Sequence, residues 1–152
     1  MLAGNGGNTG VGLVEAFDLD QSSPAKLANI STRGFVGTQD NVLIGGFIIG
    51  PDNGGMPHVI VRAIGPSLAG QGVQGALDDP MLELHDGQGN TLNTNDDWQE
   101  SQQAEIEATG IPPSDTRESA IVARLAPGKY TGVVRGKNDT TGIGLVEVFN
   151  IP

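Results

Sequence analysis

The chain has 152 residues, one domain's worth, with 24 Gly, 9 Pro, six aromatic residues, no Cys and a net charge of −10. The lack of cysteine excludes a disulfide framework, a cysteine zinc site and a thiol nucleophile. Leu, Ile, Val and Phe make up roughly a quarter of the chain, enough to build a core, while the abundance of Gly and Pro favours short strands and frequent turns over helices. Between Asp78 and Glu118 eleven acids stand against one base, Arg117, and this segment carries the whole charge excess. No basic stripe exists to neutralise phosphates, which argues against a nucleic-acid partner and against an anionic membrane surface. No apolar run approaches the roughly 20 residues of a spanning helix. Residues 1–7 lack the basic and apolar regions of a signal peptide, and the Cys-free, Asn/Asp/Gly/Thr-rich composition leans toward a secreted bacterial protein. The expected location is extracellular or at the cell surface, with the export signal outside this sequence.

In chain order, period-2 alternation and turn residues place strands near 10–18, 28–36, 41–49, 58–64, 80–86, 90–95, 119–125, 129–136 and 142–150. Strands at that spacing build an all-β, two-sheet antiparallel sandwich or a barrel rather than βαβ units. In Met81-Leu82-Glu83-Leu84-His85 the leucines share one face and Glu83 and His85 the other, so one face packs and one is wet. Asp86-Gly87-Gln88-Gly89-Asn90 and Ala126-Pro127-Gly128 read as hairpin turns. The one helical candidate is Ser101 to Thr109, a short surface turn closed by Gly110 and stopped by Pro112-Pro113. Eight to nine strands and at most one short helix are therefore expected.

A search for self-similarity finds one match. Thr9-Gly10-Val11-Gly12-Leu13-Val14-Glu15-Ala16-Phe17-Asp18-Leu19 recurs 132 residues later as Thr141-Gly142-Ile143-Gly144-Leu145-Val146-Glu147-Val148-Phe149-Asn150-Ile151, with seven of eleven positions identical. Two strands of one sandwich can converge on similar patterns, but seven identities favour a module of about 132 residues whose last strand recurs at each junction. Residues 1–20 are then a linker plus a strand equivalent to the C-terminal one, and 21–152 are the sandwich module. Val11, Leu13, Val14, Phe17, Leu145, Val146, Val148 and Phe149 become the candidates for a strand shared between subunits.

The stretch Leu82-Glu83-Leu84-His85-Asp86-Gly87-Gln88-Gly89-Asn90-Thr91-Leu92-Asn93-Thr94-Asn95-Asp96-Asp97, followed by Glu118-Ser119-Ala120-Ile121, Leu125-Ala126-Pro127-Gly128-Lys129-Tyr130-Thr131 and Val133-Val134-Arg135-Gly136, resembles the bacterial pre-peptidase C-terminal domain. The resemblance covers residues 80–150 and implies a secreted, jelly-roll-like β-sandwich accessory module; residues 20–78 depart from that pattern. The whole unit, with Leu27-Ala28-Asn29-Ile30-Ser31-Thr32-Arg33-Gly34 and Val61-Arg62-Ala63-Ile64-Gly65-Pro66-Ser67-Leu68, is also similar to modules found in tandem in large exported bacterial proteins. That likeness implies no enzymatic activity.

No catalytic residue is assigned. His58 and His85 lie outside any Gly-x-Ser-x-Gly elbow, and six aromatics give little wall for a sugar cleft around the acids near Asp96. The only cofactor considered is calcium, with oxygen ligands from Asn95, Asp96, Asp97, Asp115 and Glu118; the same acids also read as turn residues bonding to their own backbone. Trp98 is either a platform for a sugar or a plug over the sandwich edge with its N–H on a carbonyl. Arg33 and Arg62 read as solvent-facing charges or as partners of the acidic segment. Two functions follow: a structural repeat or filament subunit whose partners are copies of itself, or a calcium-stabilised module binding cell-surface glycans.

Overall fold

Alternating apolar residues on short, Gly-bounded segments produce eight strands in a computed structural model that describes residues 5–8, 10–16, 29–50 and 56–151. They are β1 (Asn29–Val36), β2 (Leu43–Ile49), β3 (His58–Ile64), β4 (Pro80–Asp86), β5 (Thr91–Asn95), β6 (Ser119–Arg124), β7 (Gly128–Gly136) and β8 (Gly142–Ile151). All strand pairings are antiparallel, in two four-stranded sheets ordered β1-β8-β3-β6 and β2-β7-β4-β5. Successive strands alternate between the sheets except at β4–β5, which is the winding of a jelly roll. The fold is thus the expected two-sheet sandwich.

The inner faces follow the period-2 pattern closely. Leu82 and Leu84 of β4, Val134 of β7, Val61 of β3, Ile121 of β6 and Val146 of β8 meet between the sheets and are buried. Glu83 and His85 stand on the opposite face of β4, bonded to each other at 2.9 Å. The Asp86–Asn90 turn is a hairpin: Asp86 Oδ1 accepts the Gln88 and Asn90 N–H groups at 2.9 Å, and Gly89 has φ +85°. The Ala126-Pro127-Gly128 turn is not one. β6 pairs with β3 while β7 pairs with β2 and β4, so this turn carries the chain from one sheet to the other.

Helices are short. α1 (Pro66–Gly70) has Pro at its first position, a site that a missing N–H suits, and its apolar Leu68 is buried; the sequence reading gave no helix there. α2 (Gln103–Ala108) lies in the expected place, but it is more than a surface turn. It lies over the outer face of the β1-β8-β3-β6 sheet, where Ile106 joins Ile60, Ala120, Val122, Ile151 and Trp98 in a second core. Adjacent residues Ile60 and Val61 are both fully buried, because this sheet is covered on both sides. Ile106→Ala empties that second core and should cost about 3 kcal/mol in urea denaturation, within the range for a buried Ile; a loss under roughly 1 kcal/mol would mean that the cluster contributes packing only to the outer surface.

The expected strand near 10–18 does not form over its described part. Residues 10–16 pair with no strand, and 17–18 lie outside the described residues. The place of its twin is taken: β8, identical to it at seven of eleven aligned positions, is hydrogen-bonded to β1 on one side and β3 on the other.

Candidate functional site

Two regions gather the residues singled out from the sequence. One is the acidic end of the sandwich. Asp79 precedes β4, Asp96 and Asp97 follow β5, and Lys137 follows β7; because Pro80 pairs with Gly136, the sheet register brings all four together. A carboxylate oxygen from each of Asp79, Asp96 and Asp97 lies within 4.8 Å of the others. The Lys137 ammonium sits among them, 2.6 Å from Asp96, 3.8 Å from Asp79 and 3.9 Å from Asp97. Burial pushes the Asp79 carboxyl above its ordinary range; Lys137 offsets part of that rise, and the neighbouring charges of Asp96, Asp97 and Asp78 add to it. Asp96 holds the Lys137 ammonium above its usual value.

The five residues considered for calcium do not share one centre. Asp96 and Asp97 belong to the cluster just described. Asn95 is buried and structural: its amide donates to the Asp97 carbonyl at 3.0 Å and its oxygen accepts the Ala120 N–H at 2.8 Å. Asp115 accepts from the Arg117 guanidinium at 3.0 Å, which holds its carboxyl below the usual range. Glu118 is wholly buried. Its carboxylate accepts the N–H groups of Gly65 (3.1 Å), Ser67 (3.0 Å) and Asp115 (3.2 Å) and the Ser67 hydroxyl (2.5 Å). Four donors compensate one buried charge, and in return Glu118 ties the first turn of α1 to the loop before β6.

Trp98 is 7% exposed, packed in the second core, with Nε1 donating to the Asp115 carbonyl at 3.1 Å. A ring so placed leaves little surface for stacking on a sugar. His58 opens β3, opposite Arg124 and Ile151, and belongs to the other sheet from His85 on β4. A depression of about 340 Å³ is lined by Asp97, Gln99, Glu100, Thr116 and Arg117, and neither histidine is among them. Among the described residues no helix is long and apolar enough to cross a membrane.

The second region is the slot that holds β8. Its inward residues Gly142, Gly144, Val146 and Val148 are buried between β1 and β3. On its outer side Glu147 pairs with Arg62, whose Nη1 also donates to the Ile111 carbonyl at 2.8 Å and whose guanidinium lies 5.0 Å from the Phe149 ring. Arg62 is therefore bound mainly by β8, and it meets the acidic segment at a backbone carbonyl rather than at a carboxylate. The N-terminal counterparts are placed very differently: Val11, Leu13 and Val14 are 99%, 76% and 74% exposed, against 1% for Val146, while Phe17 lies outside the described residues. Sequence reasoning missed the pairings of Asp79 with Lys137 and of Arg62 with Glu147, since only strand register joins residues so distant in the chain. Compared with known proteins, the chain matches no family model and no curated protein.

Two outcomes test this geometry. Glu118→Ala strips an acceptor from buried donors, and should lower the unfolding free energy by about 3 kcal/mol in denaturant titration, with Glu118→Gln between it and the wild type. The raised pKa of Asp79 means that its ionised form is disfavoured in the fold: the stabilisation by its proton is present below the ordinary Asp value and is lost as pH rises through the folded value. From neutrality toward about pH 4, the melting temperature of the wild type should therefore rise relative to Asp79→Asn, which has no proton to take up. Parallel pH profiles for the two proteins would contradict this.

Proposed function

We propose that this chain is a non-enzymatic structural module, a tandem-repeat or filament subunit joined to neighbouring copies by strand addition, and that it works outside the cell. The observation that carries the reading is the contrast between two copies of one strand sequence: Val146 is buried at the centre of a sheet and Val14 is exposed. An apolar, β-forming segment with unpaired backbone favours addition to another sheet, and a sandwich offers open edges that a neighbour can cover. Here β1 and β2 are edge strands, and they display Phe35, Ile44 and Ile48 to solvent. The resemblance to exported tandem modules supports the extracellular setting. Head-to-tail addition of this kind builds an open filament when the rotation between subunits does not close a ring.

A calcium-stabilised surface-binding module is the second reading, favoured by the convergence of Asp79, Asp96 and Asp97. The ammonium of Lys137 already sits among those carboxylates and offsets one of their charges, which is why the structural reading stands first. Sedimentation velocity separates the two. On the structural reading the weight-average mass of the intact chain rises with concentration, and Leu13→Asp with Val14→Asp returns it to one chain. An intact chain that stays monomeric at high concentration, with a melting temperature that climbs in millimolar calcium, would replace the first reading by the second.

A further inference from the structure

The requirements of the β8 slot can be read residue by residue. A Cβ at Gly142 would stand 2.7 Å from the Leu77 backbone, so only glycine fits there; a Cβ at Gly144 would meet Val36 at 3.0 Å. Ile143 N–H donates to the Gly75 carbonyl at 2.7 Å and its carbonyl accepts from Leu77 at 2.9 Å, anchoring the start of the strand. Val146 fills the centre, Glu147 faces Arg62, and Phe149 lies beside the same guanidinium.

Residues 9–19 meet each requirement in order: Gly10, Gly12, Val14, Glu15 and Phe17 stand where β8 has Gly142, Gly144, Val146, Glu147 and Phe149. At Gly10 and Val14 nothing in the surroundings calls for these choices. A Cβ at Gly10 would meet no atom within 4 Å, and Val14 touches solvent. A sequence that satisfies a slot it does not occupy is a second ligand for that slot.

We infer that residues 9–19 are an alternative β8, able to enter the slot of their own sandwich in place of residues 141–151. The inference deepens the strand-addition reading and rests on it for its role: whichever of the two strands is displaced is the one free to enter a neighbour. Topology permits the exchange. In the sheet Asn29 faces Phe149, so Phe17 in the same place would face Asn29, and residues 18–28 would close the turn into β1. Eleven residues reach up to roughly 35 Å, against the roughly 5 Å between adjacent strands. Tethering favours the chain's own slot over that of a neighbour, since a short flexible tether holds its strand at about millimolar effective concentration.

The test uses the full chain with single changes. Val14→Asp alters an exposed side chain and, at a concentration where the wild type sediments as one chain, should leave the unfolding midpoint unchanged. Val146→Asp places a charge in the core and expels residues 141–151; the chain should nevertheless keep a cooperative transition, sediment at the mass of one chain, and move slow amide exchange from residues 143–148 to residues 11–16. The double variant Val14→Asp, Val146→Asp should lose the transition altogether, so the two changes are strongly non-additive. The assignment is overturned if Val146→Asp alone unfolds as completely as the double variant, or stays folded with residues 143–148 still protected; a folded multimer overturns occupation of the chain's own slot. Either result is separable from the functional reading, because concentration-dependent association of the wild type is measured independently.

Discussion

A strand in the middle of a sheet must have both rows of its backbone groups paired, and in this sandwich Gly142–Ile151 is the strand on which that requirement falls most heavily. In the order β1-β8-β3-β6, β1 has no other hydrogen-bonded neighbour, so it joins the sheet through β8 alone. The inward residues of β8 also set how near the two sheets come. Val146 lies where a Cβ at Gly45 of β2 would be 2.8 Å away, a contact across the sandwich that a larger residue on either strand would disrupt. Pairing, packing and the Arg62 contacts therefore converge on the same ten residues.

The acidic segment owes its composition to a different constraint. The chain between β5 and β6 crosses the outer face of a sheet already packed on its inner side, so it must present Ile106 and Trp98 downward and polar residues upward. Negative charge crowded there is managed by position: Lys137 among three aspartates, Arg117 bridging Asp115 and Asp78, and Glu118 buried against four donors. These are the residue types of a metal or hydrolase site, yet most of their bonds are to the protein's own backbone and counter-charges. Glu118 illustrates the point most clearly, since its carboxylate holds a helix turn to a loop and has no open face toward solvent.

The strands were legible because one face of each packs, so alternation survives in the sequence; β4, with Leu82 and Leu84 inward and Glu83 outward, needs nothing else to be recognised. Where that reason fails, so does the reading. The turn at Ala126-Pro127-Gly128 has hairpin residues but changes sheets, and no local signal distinguishes the two, because the partner of β6 is β3, some sixty residues away. The depth of Ile106 was hidden because a lone apolar residue on a short polar helix looks the same on a surface or over a second core. The partnership of Asp79 with Lys137 depends on the register of β4 against β7, which composition does not encode. In residues 10–16 the alternation of a strand is present and no strand forms, because propensity says only that a segment can be a strand and available partners decide whether it is one.

That last difference bears on how a module of this fold can be linked. In a jelly roll wound in this order the first and last strands are neighbours, so the chain enters and leaves the sandwich at the same edge. A duplicate of the last strand placed ahead of the first is therefore within a short loop of the slot its twin fills. In a fold whose terminal strands lay in different sheets, the same duplication would leave the copy out of reach. Exchange would also conserve the interactions that matter, since the glycines, the central valine and the glutamate that faces Arg62 are present in both copies, while Val11 for Ile143 and Ala16 for the buried Val148 together remove three carbons. The loss of those buried carbons favours residues 141–151 in the slot, by roughly 0.8 kcal/mol for each. On the strand-addition reading proposed above, a joint built on two such strands would hand one of them to the next module without leaving either sandwich open.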